Sequence, residues 1–236
     1  MFWWEGQGPQ GIRVAFTDTA AGNLALHVGD DSAAVCGRRS ALEQRMGVEP
    51  GSLRFMEQVH SADVALVDGK PAPGEVPVAD ALVSADGSTP LAVMVADCLP
   101  VLFAGTGPDG IATAAAHAGR RGLLDGILAN TAAALRYAGA DGIQAWIGPG
   151  VCGNCYEVPG EMVSGAAHLP GAASETSWGT PALDLPAAAR NQLQSLGIAV
   201  QMIPGCTMEE PELFSHRRDA PTGRFAGIIW QARQHP

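Results

Sequence analysis

Three residues far apart in this chain are candidates to hold one metal ion: His60 in EQVHSADV, Cys98 in VADCLPVLF and His117 in AAAHAGRRG. Two imidazoles and a thiolate are a zinc ligand set that leaves a fourth position open for water or substrate, as catalytic sites do. Cys98 follows the apolar run Leu91-Ala92-Val93-Met94-Val95, and His117 follows Ile111-Ala112-Thr113-Ala114-Ala115-Ala116. Each stands where a buried strand is expected to end. If the two strands are neighbours running the same way, both side chains emerge at one rim. Taken singly, each residue has a plainer reading, since cysteine is among the most buried residue types and a loop histidine is commonly a surface or capping group. A polar Asp97-Cys98 pair directly after an apolar strand is poor core design, however, and Gly119 behind His117 gives room for close approach. Asp80 and Asp97 are the carboxylates that could orient a metal-bound histidine.

Arginine carries the second chemistry. Lys70 is the single lysine among 14 basic residues, and the arginines gather as Arg38-Arg39, Arg120-Arg121 and Arg217-Arg218 with Arg224. A guanidinium fork suits phosphate or carboxylate. Arg120 and Arg121 stand at an expected helix start, where free N–H groups favour an anion. Surface ion pairing is the plainer reading, and for Arg38-Arg39 the two readings are balanced. Cys152 and Cys155 form a C-x-x-C, by type a redox pair or half of a zinc site, but with no second C-x-x-C and no thioredoxin-like strand before it no shared role is the favoured reading.

The elements that must position these groups can be read from periodicity and punctuation. Strands are expected at Arg13 to Thr17, Asn23 to Leu26, Leu53 to Gln58, Asp63 to Val67, 91–95, 100–104, 111–116, Ala145 to Ile147, Ile198 to Ile203 and Phe225 to Trp230. Helices are expected over Ser32 to Met46, with Asp30 and Asp31 as cap chemistry and Gly47 as the stop, over about Gly119 to Ala138, and over Leu185 to Leu196. Asp68 to Val78 is a Pro/Gly loop, and part of Gly165 to Pro181 an irregular connection. Strands and helices mix without strict alternation, which favours α+β. No internal repeat or linker divides residues 1–236, so one domain is expected.

The composition narrows the classes. A net charge of -10 and 47% hydrophobic residues describe an acidic chain with a sizeable core. That disfavours nucleic acid, which needs a basic face. The segment Leu91 to Ala104 is interrupted by Asp97 and Pro100 and is too short to span a membrane. MFWWEGQGPQG lacks the pattern of a secretion signal, and five scattered cysteines suit a reducing, cytoplasmic compartment.

The motifs QVHSADV, ADALVS, LAVMVADCLPVLFA, AAHAGRRGLLDGI, IGPGVCGNCYEV, DLPAAARNQL and CT…LFSHRRDAPTGRFAGIIW occur in this order. Over roughly residues 11 to 230 the chain resembles the YfiH-type family, whose members are named polyphenol oxidase, purine nucleoside phosphorylase or peptidoglycan editing factor PgeF. The resemblance implies a single α+β domain with two mixed β-sheets packed face to face and flanked by helices (α/β/β/α). It implies a metal, zinc or else copper, on His60, Cys98 and His117. It implies phosphorolysis of adenosine, inosine, guanosine and methylthioadenosine, and deamination of adenosine to inosine. Arg121, Arg217, Arg218 and Arg224 match family arginines and, with Arg38, are the candidate phosphate and substrate contacts. The partners are then a purine nucleoside and phosphate, with no nucleic acid and no membrane, for a monomer or homodimer. Two departures touch the substrate side: Arg120 stands where the family has Trp, and DTAAGN from Asp18 replaces an Arg followed by Gly-Gly. Two rival chemistries share the residues. One is a hydrolase with Cys98 as nucleophile and His117 or His60 as base, cutting a muramyl–amino acid bond. The other is a copper phenol oxidase, which would have to recruit His27, His168, His216 and His235.

Overall fold

Side chains point alternately to the two faces of a strand, and because the long central strands are buried on both faces, that parity decides which layer each side chain enters. The computed structural model describes residues 1–69, 76–107 and 110–232. Its strands are β1 (Phe2–Gln7), β2 (Ile12–Thr17), β3 (Val64–Leu66), β4 (Ala81–Ser84), β5 (Leu91–Val95), β6 (Leu99–Gly107), β7 (Gly110–Ala118), β8 (Asp141–Ile147), β9 (Ala173–Glu175), β10 (Pro181–Leu183), β11 (Ala199–Met202) and β12 (Phe225–Gln231). Its helices are α1 (Ser32–Met46), α2 (Arg120–Leu124), α3 (Ile127–Tyr137), α4 (Gly160–Gly165), α5 (Leu185–Ser195) and α6 (His216–Asp219).

One sheet has the order β1-β2-β12-β5 and is antiparallel throughout. The other, β11-β8-β6-β7-β4-β3, is mixed, with a parallel pair at each edge. Ile12, Val14 and Phe16 of β2, Leu91, Val93 and Val95 of β5, and Phe225 and Ile229 of β12 point between the sheets, where they meet Leu102, Ile111, Ala115 and Trp146. The alternate residues Ala15, Ala92, Met94, Ala226, Ile228 and Trp230 pack outward on Leu42 and Met46 of α1. Beyond the six-stranded sheet, Val101, Phe103, Ala114, Ala116 and Ile147 pack on α3 and α5 through Ile127, Leu128, Leu135, Ala189 and Leu193. The layers are therefore α/β/β/α, an α+β fold. Each fully buried Leu, Ile or Phe stabilises this stack by about 1.5–3 kcal/mol, which makes its rim a rigid platform.

Helix α1 has the bounds its sequence predicts. Asp31 accepts from the backbone N–H of Ala34 at 2.8 Å, and Gly47 ends the helix at φ 71° while its N–H returns to Gln44 and Glu43. Other expectations change. The helix expected over Gly119 to Ala138 is two, because Gly126 takes φ 93° between α2 and α3. Asn23 to Leu26 is not a strand. The Asn23 side chain bonds both backbone groups of Ala25 and accepts from Arg224 N, which holds the segment as a turn. Leu53 to Gln58 forms only isolated bridges, Arg54 to Leu91 and Glu57 to Val78. The connection after Gly165 contains β9, paired with β10. Residues 70–75 of the Asp68 to Val78 loop, Lys70 among them, lie outside the described residues, as does His235. No helix among the described residues is long and apolar enough to cross a membrane.

Candidate functional site

The apolar strand that precedes Cys98, β5, and the strand that carries His117, β7, lie in different sheets. β5 ends the four-stranded sheet, and Ala96-Asp97-Cys98 carries the chain across to β6 in the other. Asp97 turns that corner at φ 87°, a conformation non-glycine residues seldom adopt and functional sites often hold. His117 lies inside β7, paired with Pro100 of β6. It has the parity of Ile111 and Ala115, so its ring faces the gap between the sheets. The two side chains meet at one rim because Cys98 directly precedes β6, whose Leu99 and Pro100 pair with Ala118 and His117 of β7.

His60 comes from the loop before β3, itself at φ 60°. Its Nε2 lies 3.8 Å from Cys98 Sγ, and its ring stands edge-on to His117 with centroids 4.7 Å apart. The ligand atoms of His60, Cys98 and His117 all fall within 4.8 Å of one another, and no fourth His, Cys, Asp or Glu among the described residues joins them. Gly119 is what permits this approach. A Cβ there would sit 2.7 Å from His60 Cδ2 and 3.1 Å from Cys98 Sγ.

Asp80 organises two of the three. It is fully buried and accepts from the backbone N–H of Val59, His60 and Ser61 at 3.2, 3.0 and 2.6 Å. Its Oδ1 also lies 2.7 Å from His117 Nδ1. Burial alone would raise the Asp80 pKa, but the His117 and Ser61 hydrogen bonds outweigh it and bring it to about 2. A carboxylate ionised to that degree can only accept, so His117 Nδ1 carries a proton, and Nε2 is the nitrogen that would face a metal once it gives up its own. With no ion bound, burial opposes charge on Cys98 and His117, yet their mutual attraction wins. Cys98 is drawn down to about 6, mainly by His117 and then His60, and His117 is raised to about 9 by Cys98 and Asp80. A thiolate and a neutral imidazole are what a metal requires, and the pair offers the thiolate already formed.

The three residues line a cavity of about 610 Å³, together with Gln58, Tyr156, Arg217, Arg224, His27 and His216. Arg217 lies over the Tyr156 ring at 4.8 Å, donates to Glu157 O at 2.9 Å, and through its backbone N–H reaches Asp97 Oδ2 at 2.7 Å. Asp97 also accepts from Thr207 Oγ1 at 2.6 Å. It thus contacts no histidine and instead ties the arginine segment to the rim. Arg224 is held by the carbonyls of Thr222 and Gly223. Burial, then Arg224 and Arg39, lowers the pKa of His27.

Arg120 hydrogen-bonds with Tyr156 at the cavity wall, whereas Arg218, Arg38 and Arg121 are not among the lining residues. Arg218 spends its guanidinium on the carbonyls of Thr207, Glu210 and Leu213 and on Asp219. Arg38 donates to Asn23 O and pairs with Asp30. Arg121 is exposed on α2, which has only five residues and so presents little helix dipole. Tyr156 and Gln58 escaped the sequence reading, although both sit inside motifs that it quotes. The C-x-x-C was denied a shared role, yet Cys152 and Cys155 stand with Cys206 and Glu209 in a second cluster, their ligand atoms within 4.8 Å of one another. His168 is exposed and outside the cavity lining.

Residues 13–232 match the family described as multi-copper polyphenol oxidoreductase laccase. A purine nucleoside phosphorylase of Streptomyces coelicolor is 45% identical over 233 residues, which cover 93% of this chain and 96% of that protein. A Neisseria meningitidis protein of the DUF152 family superposes with a TM-score of 0.82 at 33% identity, covering 98% of this chain and 99% of the other. The YfiH protein of Bacillus licheniformis superposes with a TM-score of 0.81 at 26% identity, covering 93% and 92%.

Proposed function

The chain belongs to the family described as multi-copper polyphenol oxidoreductase laccase, the YfiH type, and from that footing we propose that it is a zinc-dependent purine nucleoside phosphorylase that also deaminates adenosine to inosine. The observation that carries the reading is one cavity holding both an open His60, Cys98 and His117 cluster and two arginines, Arg217 and Arg224. The name of the Streptomyces coelicolor relative supports the substrate class.

The donor set fits zinc: two imidazoles, one of them fixed by a carboxylate at its far nitrogen, and a thiolate already favoured by its neighbours. His60, Cys98 and His117 would hold the ion, which when bound supplies Lewis-acid chemistry. The protein's own groups do the rest. In phosphorolysis a phosphate oxygen bonds to C1′ of the ribose while the C1′–N9 bond breaks, its electron pair leaving with the base. Arg217 and Arg224 hold the phosphate by charge-assisted bonds and fix its direction of attack. Their fixed charges also match the oxygens where negative charge is concentrated. Tyr156, packed beneath Arg217, offers a flat apolar surface beside them for a sugar or base. Asp80 keeps His117 in one tautomer, and Asp97 keeps Arg217 at the rim.

Purified protein incubated with phosphate and adenosine, inosine, guanosine or methylthioadenosine tests this by product analysis. Free base plus ribose 1-phosphate is the expected result, with inosine formed from adenosine. Arg217→Ala should raise KM for phosphate, and Cys98→Ala should abolish turnover. Full activity in a metal-free Cys98→Ala protein would sink the reading. A second reading draws on the thiolate form of Cys98 beside His117: a cysteine-nucleophile hydrolase acting on a muramyl–amino acid bond. It predicts activity that survives a strong chelator and an alkylation-sensitive Cys98, the opposite of the zinc reading. A multi-copper oxidase centre needs more imidazoles than the two this cluster brings together.

A further inference from the structure

We propose that Cys152, Cys155, Cys206 and Glu209 form a second metal site, closed by four protein ligands, that takes a zinc ion and clamps two loops together. The four ligand atoms lie within 4.8 Å of one another. All five cysteines are free thiols, and Cys155 and Cys206 are buried while Glu209 is exposed. Three sulfurs and a carboxylate are a complete tetrahedral set for zinc, whereas the His60 cluster stops at three.

The backbone is built for the same purpose twice. Cys152 and Cys155 are spaced i, i+3, and so are Cys206 and Glu209. In the first turn the N–H groups of Cys155 and Tyr156 both donate to Cys152 O, at 3.0 and 2.9 Å. In the second the N–H groups of Glu209 and Glu210 both donate to Cys206 O, again at 3.0 and 2.9 Å. The same pair of bonds places the two donor side chains of each turn on one side. A bridge between Gly150 and Cys206 holds the turns against each other. Thr207 N donates to Gly150 O at 3.1 Å, and Cys152 N reaches Cys206 Sγ at 3.4 Å. An N–H directed at a cysteine sulfur favours the thiolate that a metal needs. Cys155 Sγ faces Glu209 Oε1 at 3.6 Å.

Packing alone is a weak account of this corner. Its buried apolar cluster is only Val151, Cys155 and Cys206, bordered by Cys152, Tyr156 and Met208. A redox pair explains the C-x-x-C but not a third thiol and a carboxylate at the same point. An ion explains all four. It also has something to hold: Tyr156 follows Cys155 and lies beneath Arg217, while Thr207 follows Cys206 and bonds Asp97. The inference does not depend on which reaction the cavity performs.

The test is metal content of the full chain by mass spectrometry after zinc loading and desalting. The Cys98→Ala protein should keep one zinc per chain, and adding Cys155→Ser should remove it. Cobalt(II) bound to Cys98→Ala should show strong thiolate-to-cobalt absorption, since three sulfurs remain. Glu209→Ala alters an exposed side chain and leaves the fold intact by circular dichroism. It should weaken zinc binding in the Cys98→Ala background by at least about tenfold, the lower end of what disturbing even a ligand's hydrogen-bond partner costs. Zinc binding unchanged by Glu209→Ala would remove the carboxylate. A Cys98→Ala protein with no ion, or with a disulfide among Cys152, Cys155 and Cys206, would overturn the site.

Discussion

Two clusters of potential ligands lie among the described residues, and they are assembled in opposite ways. His60, Cys98 and His117 come from a loop, a sheet-to-sheet crossing and a strand. The chain holds positive φ at His60 and Asp97 to bring them together. Cys152, Cys155, Cys206 and Glu209 come from two turns with the same spacing and the same backbone bonds, and their four residues are not among the non-glycine positive-φ positions. The first cluster has three candidate ligands and opens on a cavity; the second has four. The difference teaches that an open site needs outside support. Three donors leave a vertex vacant, so the geometry must be imposed by the fold, through Asp80 behind and Gly119 beside. Four donors complete a coordination sphere and can share the work of holding it with the ion.

The most damaging way to break this contrast is to remove Asp80. Asp80→Ala strands three backbone N–H groups and His117 Nδ1 in a buried place. Urea unfolding should show a loss of about 3–5 kcal/mol, as for other buried polar networks that lose one partner. Metal affinity at the His60 cluster should fall by about 10–100-fold. The second cluster, which Asp80 does not touch, should keep its ion. The pH dependence has a definite sign. The Asp80 pKa is depressed from 3.8 to about 2, so its ionised form stabilises the fold fully above the unfolded value. That contribution is lost as pH falls through the folded value, between about pH 4 and pH 2. Asp80→Asn should flatten this part of a stability–pH curve.

Next in size is Gly119→Ala. The added methyl group would collide with His60 and Cys98, at a cost of about 1–3 kcal/mol for overpacking. Metal content at the open site should fall while the cysteine cluster is unchanged. Equal loss at both would mean the methyl group disturbs the fold as a whole, and the contrast between supported and self-supporting sites would fail.

Reactivity sharpens the same contrast more gently. After chelation at pH 7, burial still raises Cys98, but His117 and His60 outweigh it and hold the thiol near 6. Burial raises both Cys152 and Cys155, and the hydrogen bonds that Cys152 gains from Cys155 and Asn154 do not outweigh it. The thiolate is the reactive form, so iodoacetamide should label Cys98 ahead of Cys152 and Cys155, read by peptide mass spectrometry. Restoring zinc should protect Cys98. Labelling in the reverse order would show that the His117 pairing does not govern this thiol.

Much of the open site was legible because its residues carry chemistry that poorly fits a core. Cys98 and His117 each end or follow an apolar run, Gly119 stands in the motif of His117, and Asp80 stands in the separate motif ADALVS. What could not be read was the partition of strands between sheets. β5 and β7 have similar apolar patterns whether they pair side by side or stack, and only the Asp97 corner decides. Arg38 and Arg218 stand outside the cavity lining while Arg217 and Arg224 stand in it, although all four donate to backbone carbonyls, and sequence does not show which guanidinium faces the cavity. The second cluster was hidden by separation, since Cys206 is 54 residues from Cys152. The repeated i, i+3 spacing of C-x-x-C and C-T-M-E was the available clue. The helix expected over Gly119 to Ala138 divides at Asp125-Gly126, where Gly126 takes φ 93°, an Asp-Gly turn signal that the expected helix runs across.

The smallest predicted effect serves as the control for all the others. Gly37 lies mid-way along α1, exposed, with nothing within 4 Å of where a Cβ would go. Helix α1 packs on the outer face of the four-stranded sheet, and its residues line neither the cavity nor the cysteine cluster. Gly37→Ala therefore changes helix propensity and backbone entropy alone and should stabilise the protein by about 0.5–1 kcal/mol. Thermal unfolding should shift upward while metal content and the order of cysteine labelling stay as in the wild type. If this variant altered either cluster, stability of the scaffold and occupancy of the sites would be one quantity. The separate responses expected for Asp80 and Gly119 would then carry no information about the sites themselves.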